Sequence, residues 1–160
     1  MMERVYIGID PDTDKNGVAV VSNTGDAVVG VRTFPELMSF LTELSQREEC
    51  KHITIVIEDS WSTSHNWHYN ATDSKAVVAK KGYAVGRCHQ VGKLIAEMCK
   101  AFGLQYRLQA PLQKIWKGHD RKITHEEIKK ITGIKNKRTN QEERDALLLA
   151  WVVAGLPIKI

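Results

Sequence analysis

Val5-Tyr6-Ile7-Gly8-Ile9-Asp10-Pro11-Asp12-Thr13-Asp14-Lys15-Asn16-Gly17-Val18-Ala19-Val20-Val21 reads as two hydrophobic strands joined by a tight, acidic turn. Val, Tyr and Ile in 5–9 and Val in 18–21 favour extended backbone, and the turn-forming residues between them favour a reversal. An antiparallel hairpin is expected. Asp10 then ends the first strand, its carboxylate projecting from the end of a sheet into a crevice. Gly8, inside that strand, marks a place where another backbone or a ligand comes close. An acid at the end of a buried strand calls for a partner, a cation or a proton.

The hairpin belongs to a chain of 160 residues, expected to fold as one domain over 1–160 with a core of its own. Hydrophobic residues make up 42% and charged residues 26%, a balance that argues against disorder. No run reaches the roughly 18 to 20 apolar residues of a membrane span, and Met1-Met2-Glu3-Arg4 lacks the apolar stretch of a signal peptide. A cytoplasmic protein without a membrane partner is expected. Cys50, Cys88 and Cys99 are widely spaced with no C-x-x-C pair, which points to reduced, mostly buried thiols. The formal charge of +4 is unevenly placed, because residues 111–140 hold nine Lys and Arg (114, 117, 121, 122, 129, 130, 135, 137, 138) against three acids. Such a segment is either a phosphate-backbone footprint or a solvated helical face.

Beyond the hairpin, Asp26–Thr33 reads as a third strand reached through Ser22-Asn23-Thr24-Gly25, completing a meander. Leu37, Phe40, Leu41 and Leu44 recur at helical spacing after Pro35, so a helix is expected from Pro35 to about Gln46. His52–Ile57 is a β-branched run suited to a central strand, and it ends in Glu58. Asp59–Asn70 is an aromatic-rich loop. Val91, Leu94, Ile95, Met98 and Phe102 mark a second helix, led into by Lys80-Lys81-Gly82, and Leu104–Leu108 a fifth strand parallel to the fourth. Thr124-His125-Glu126-Glu127 is a capping box for a short helix ending at Gly133. Asn140 caps a last helix running to about Ala154, with Asp145 in its second turn and Glu142 on the same face.

These elements fit a mixed α/β sheet of five strands, three meander strands plus a parallel pair, with helices on both faces. In such a sheet the ends of the first and fourth strands can be neighbours, bringing Asp10 and Glu58 within reach of one metal, and the last helix can lay Asp145 and Glu142 across the same crevice. Carboxylates gathered there repel one another unless cations hold them, and oxygen-only ligands select Mg²⁺ or Mn²⁺. Read singly, Asp10 is equally a turn-starting residue, Glu58 a strand-end cap and Asp145 an exposed helix acid.

Ile7-Gly8-Ile9-Asp10-Pro11 with Gly17, Ile55-Val56-Ile57-Glu58 and Glu142-Glu143-Arg144-Asp145-Ala146-Leu147 resemble, in that order, the motifs of RuvC-type Holliday-junction resolvases, within the ribonuclease H-like fold. Val85-Gly86-Arg87, Gln113–Gly118 and the helix 124–132 look similar as well. The chain departs from that family at Asp12, where Gly is usual, at Glu142, where Asp or His is usual, and in a longer 59–83 region.

The resemblance implies a metal-dependent, structure-selective DNA endonuclease that hydrolyses phosphodiesters with two metal ions roughly 4 Å apart. Asp10 would bridge the ions, Glu58 and Asp145 would hold one each, and Glu142 would complete the site or position water. Branched DNA and a homodimer partner follow, with the helix Val91–Phe102 as the pairing face. Trp61 or Trp67 would stack on an opened base. Lys114 and Lys117 would neutralise phosphate charge near the scissile bond, with Arg87 and Lys122 as further nucleic-acid contacts. His65 and His68 lack a zinc-spaced partner. Asp10-x-Asp12-x-Asp14 fails as a calcium loop, having Lys15 and Val21 where Gly and Glu are required. Two alternatives stand: a non-catalytic ribonuclease H-like binding module, and a haloacid-dehalogenase-like phosphatase using Asp10-Pro11-Asp12-Thr13, in which a helix would follow the motif.

Overall fold

The computed structural model describes residues 2–62 and 69–159. Five strands form one sheet in the order β3-β2-β1-β4-β5. β1 (Val5–Asp10), β2 (Asn16–Ser22) and β3 (Ala27–Arg32) are the expected antiparallel meander, with Asp10 opposite Gly17. β4 (Ile53–Glu58) pairs with β1 in parallel, Ile9 opposite Ile57, and β5 (Tyr106–Gln109) pairs in parallel with β4. The chain after Asp10 therefore returns as a strand. That removes the phosphatase alternative, which needs a helix there.

Two cores flank the sheet. On one face, α1 (Phe34–Ser45) and α2 (Lys75–Ala101) press Leu37, Leu41, Leu44, Ile95 and Cys99 onto Ile7, Ile9, Ile55 and Ile57. Each fully buried Leu or Ile there contributes about 1.5 to 3 kcal/mol. On the other face, α3 (His125–Thr132) and α4 (Gln141–Val153) pack Ile128, Ile131, Leu147, Leu148 and Trp151 over Ala19 and Val21.

The caps fall where the side chains dictate. Thr33, Thr124 and Asn140 each close a reciprocal box with the glutamate three residues on, and Gly133 ends α3 in the left-handed conformation. α1 begins at Phe34, one residue before Pro35, because Thr33 is its cap. α2 differs more from expectation. It starts at Lys75 behind the cap Ser74 and runs through Gly82 and Gly86 for 27 residues. Its first half is largely exposed, so no apolar period advertises it, and Ala, Lys and Arg outweigh the glycines.

The apolar residues of the expected pairing face on α2 are mostly turned inward. Val91, Ile95, Cys99 and Phe102 belong to the chain's own core, and Leu94 is the large apolar residue that stretch leaves exposed, at 37%. Among the described residues no helix is long and apolar enough to cross a membrane.

Candidate active site

α4 fixes the site because it lies on the sheet backbone to backbone. A Cβ on Gly8 would stand 2.2 Å from the Ala146 carbonyl oxygen, and one on Gly17 would stand 2.0 Å from that of Glu142. Both glycines sit on the α4 side of adjacent strands, so the helix crosses β1 and β2 with nothing between them. The close approach read into Gly8 is made by this helix. It carries Asp145 over the ends of β1 and β4, where Asp10 and Glu58 emerge.

Asp10, Glu58 and Asp145 line one open cleft of about 500 Å³ together with Ser60, Lys114 and Lys122. All three carboxyls are pushed above the ordinary carboxylate range. Asp10 is shifted furthest, by burial first, then by the charges of Glu58 and Asp145, a hydrogen bond shared with Glu58, and the Glu142 charge. Burial raises Glu58 as well, and the Asp10 hydrogen bond and the Lys114 and Lys122 charges oppose it. Burial likewise raises Asp145, against a hydrogen bond from Gln141 and the charges of Lys122 and Arg144. Among the described residues, no three His, Cys, Asp or Glu side chains stand grouped as a ready ion cage. Asp10 and Glu58 face each other through a hydrogen bond, and Asp145 is turned to Gln141.

Several supports were not legible as such. Gln141 Nε2 donates to Asp145 Oδ1 at 2.7 Å, while its own Oε1 accepts from Arg144 Nη2 at 2.9 Å. Arg144 is anchored on the carbonyls of Ile123 and Thr139. Asn16, fully buried, accepts from the Asp12 amide and donates to the Arg32 carbonyl, pinning the turn after Asp10. Asp59 accepts from the Trp61 and Ser62 amides, so the chain turns sharply behind Glu58. Only an Asn in an acidic turn and an Asp-Ser pair after a strand hinted at these roles.

The basic candidates separate. Lys114 and Lys122 face the acids, whereas Lys117 is directed to Glu127, which accepts the Lys117 amide and lies near its charge. Glu127 is buried, and the Thr124 and Lys117 hydrogen bonds outweigh that burial and hold its carboxylate below the ordinary range. It fastens a loop in which Asp120 and Arg121 adopt positive φ, 52° and 60°. Glu142 sits at the start of α4 against Gly17, close enough to raise Asp10 and Asp145 but outside the cleft lining. The Trp61 ring lies against Gly92, as does Pro11, and is half-buried at the margin of the core. Arg87 is exposed on α2, its guanidinium 5.5 Å from the Tyr83 ring centroid. Trp67, His65 and His68 lie outside the described residues.

The strand order β3-β2-β1-β4-β5, with β4 and β5 running parallel to β1 and helices on both faces, is a ribonuclease H-like α/β fold. The chain's fold is that of RuvC. The structure matches RuvC of Thermus thermophilus, solved in complex with Holliday junction substrate, at a TM-score of 0.50 and 16% identity, over 95% of this chain and 96% of that one. A second Thermus thermophilus RuvC structure matches at 0.51 and 17%, over 95% and 97%. No family model and no curated protein matches the sequence. At this identity the likeness is one of fold.

Proposed function

We propose that this chain is a metal-dependent, structure-selective DNA endonuclease of the Holliday-junction resolvase kind, acting on branched DNA as a homodimer. The observation that carries the reading is the convergence of Asp10, Glu58 and Asp145, from two strand ends and a helix, in one cleft edged by Lys114 and Lys122. A solved relative in fold is described as bound to Holliday junction substrate, which supports a branched partner here.

The donor set suits Mg²⁺ or Mn²⁺, since it is made of carboxylate oxygens alone, and the burial and mutual repulsion that raise those carboxyls are what a bound cation would offset. Asp10, Glu58 and Asp145 would hold two ions, with Glu142 at the margin. Ions held there would supply an activated water and charge stabilisation on the leaving 3′ oxygen. The chain's own residues do the rest. Gln141, held by Arg144, fixes the Asp145 carboxyl, Asn16 fixes the turn behind Asp10, and Lys114 and Lys122 draw the phosphate in and offset its charge.

The test is a panel of labelled four-way, flapped and duplex DNAs with Mg²⁺ or Mn²⁺. Wild type should nick the four-way substrate, and Asp10→Asn should abolish nicking while keeping DNA binding. If the wild-type protein cuts none of them, a non-catalytic binding module replaces this reading.

A further inference from the structure

At the opposite end of the sheet from the acids lies a second cleft, of about 760 Å³, with Arg4, Lys51, His52, Tyr6, Thr54 and Gln105 in its lining and no Asp or Glu. It opens on the same face as the acids. Alternate residues of a strand share a face, so Tyr6, Gly8 and Asp10 line up on β1, Thr54, Val56 and Glu58 on β4, and Arg107 and Gln109 on β5. The register sets Tyr6 beside Thr54, Val56 beside Arg107, and Glu58 beside Gln109.

α4 packs over β1, β2 and β3 and touches β4, where Val56 is buried, while Arg107 beside it on the edge strand β5 is exposed. Arg107 is exposed there, with its guanidinium 3.4 Å from Gln109 Oε1. A strip along this face thus carries Lys114 and Lys122 at the acidic end, Arg107 between, and Arg4 and Lys51 at the other. From the Tyr6 row to the Asp10 row is four residues, about 13 Å at ~3.3 Å each, the axial rise of about four base pairs of duplex at ~3.4 Å each.

We infer that this strip is a second nucleic-acid contact, along which the phosphate backbone of one DNA arm runs from the catalytic cleft over Arg107 to Arg4 and Lys51. The inference rests on the endonuclease reading for what occupies the acidic end. Its occupant is chosen by charge: Arg4 and Lys51 in a cleft lined by no acid, with the exposed Arg107 leading to it from Lys114 and Lys122, suit a polyanion better than an apolar protein surface. Sequence selectivity is not expected from such contacts, since phosphates position a duplex without reading it.

The experiment compares full-length wild type with the triple variant Arg4→Glu/Lys51→Glu/Arg107→Glu, and with the charge-neutral Arg4→Gln/Lys51→Gln/Arg107→Gln. Melting temperatures are checked first, and the neutral variant stands in if the reversed one does not fold. Binding to labelled four-way DNA with long arms, and with arms trimmed to end before Arg107, is measured without divalent ions across a salt series. The reversed variant should bind the long-armed DNA at least tenfold more weakly, with a salt slope lower by about 2 to 3. The short-armed DNA should be bound as by wild type.

Equal affinity of variants and wild type for long arms, or equal losses for long and short arms, overturns the inference. If wild type cuts nothing but long-arm binding still depends on these residues, the endonuclease reading fails and the contact surface stands. If wild type cuts and the variants bind normally, the reverse holds.

Discussion

Helices α4 and α2 cover opposite faces of one sheet, and each meets its neighbour at a glycine, but the neighbours differ in kind. At Gly8 and Gly17 the opposing atoms are backbone, and Ala146 to Trp151 of α4 are all buried. At Gly92 the opposing atoms belong to the Trp61 ring, 2.5 Å from where a Cβ would stand, and to the Pro11 ring, while a Cβ on Gly86, earlier in the helix, would meet nothing within 4 Å. In α2 the buried residues are Gly92, Ile95 and Cys99, all in its second half. Among the glycines of the described residues, the closest approaches are those to the helix that holds an acid over two strand ends. The first half of α2 has no such duty and extends into solvent.

Breaking the chemistry of α4 should have the largest effect. Asp145→Asn is expected to lower metal-dependent nicking by about 10³-fold, near 4 kcal/mol of barrier, with junction binding in the absence of divalent ions unchanged. Preserved nicking would separate the packing of α4 from any catalytic purpose. Next comes the packing itself. Gly17→Ala should cost about 3 kcal/mol in urea unfolding because its methyl meets fixed backbone. Gly92→Ala should cost less, about 1 to 2 kcal/mol, since the Trp61 side chain can shift. Equal costs would erase the distinction between the two helices.

The acids give a smaller, pH-dependent effect. Asp10 is raised in the folded chain, so its contribution to stability is present below the unfolded carboxylate range, near pH ~4, and is lost as pH rises through the folded value. Metal-free Asp10→Asn should therefore match wild type in melting at pH ~4 and exceed it at neutral pH, by about 1 to 3 kcal/mol for removing a buried unpaired charge. Adding Mg²⁺ should close that gap by stabilising wild type alone. Smallest of all, Gly86→Ala on the exposed half of α2 should stabilise by about 0.5 to 1 kcal/mol, read as a rise in melting temperature.

The hairpin, the meander, the caps at Thr124 and Asn140, and the placing of Asp10 and Glu58 at strand ends and Asp145 on the last helix were legible because each is written in local spacing, whereas the Thr33 box was hidden behind Pro35. Alternation, β-branched runs and S/T/N-x-x-E patterns have short-range physical causes. The exposed half of α2 was not legible, as helix propensity without an apolar face leaves no periodic trace. The separation of Lys117 from Lys114 depends on Glu127, whose partner is ten residues away in sequence. Nor does any spacing announce that Arg144 holds Gln141 against Asp145, or that the Trp61 ring settles on Gly92. Those are tertiary choices, decided by which surfaces the fold brings together.

Calorimetric titration of Mn²⁺ into the full-length protein at neutral pH, for wild type and for Asp10→Asn, Glu58→Gln and Asp145→Asn, tests the proposed shared pocket most directly. Saturable binding by wild type that weakens at least tenfold in each of the three variants is the expected result. Binding left intact by any one of these substitutions, or no binding by wild type, would contradict it.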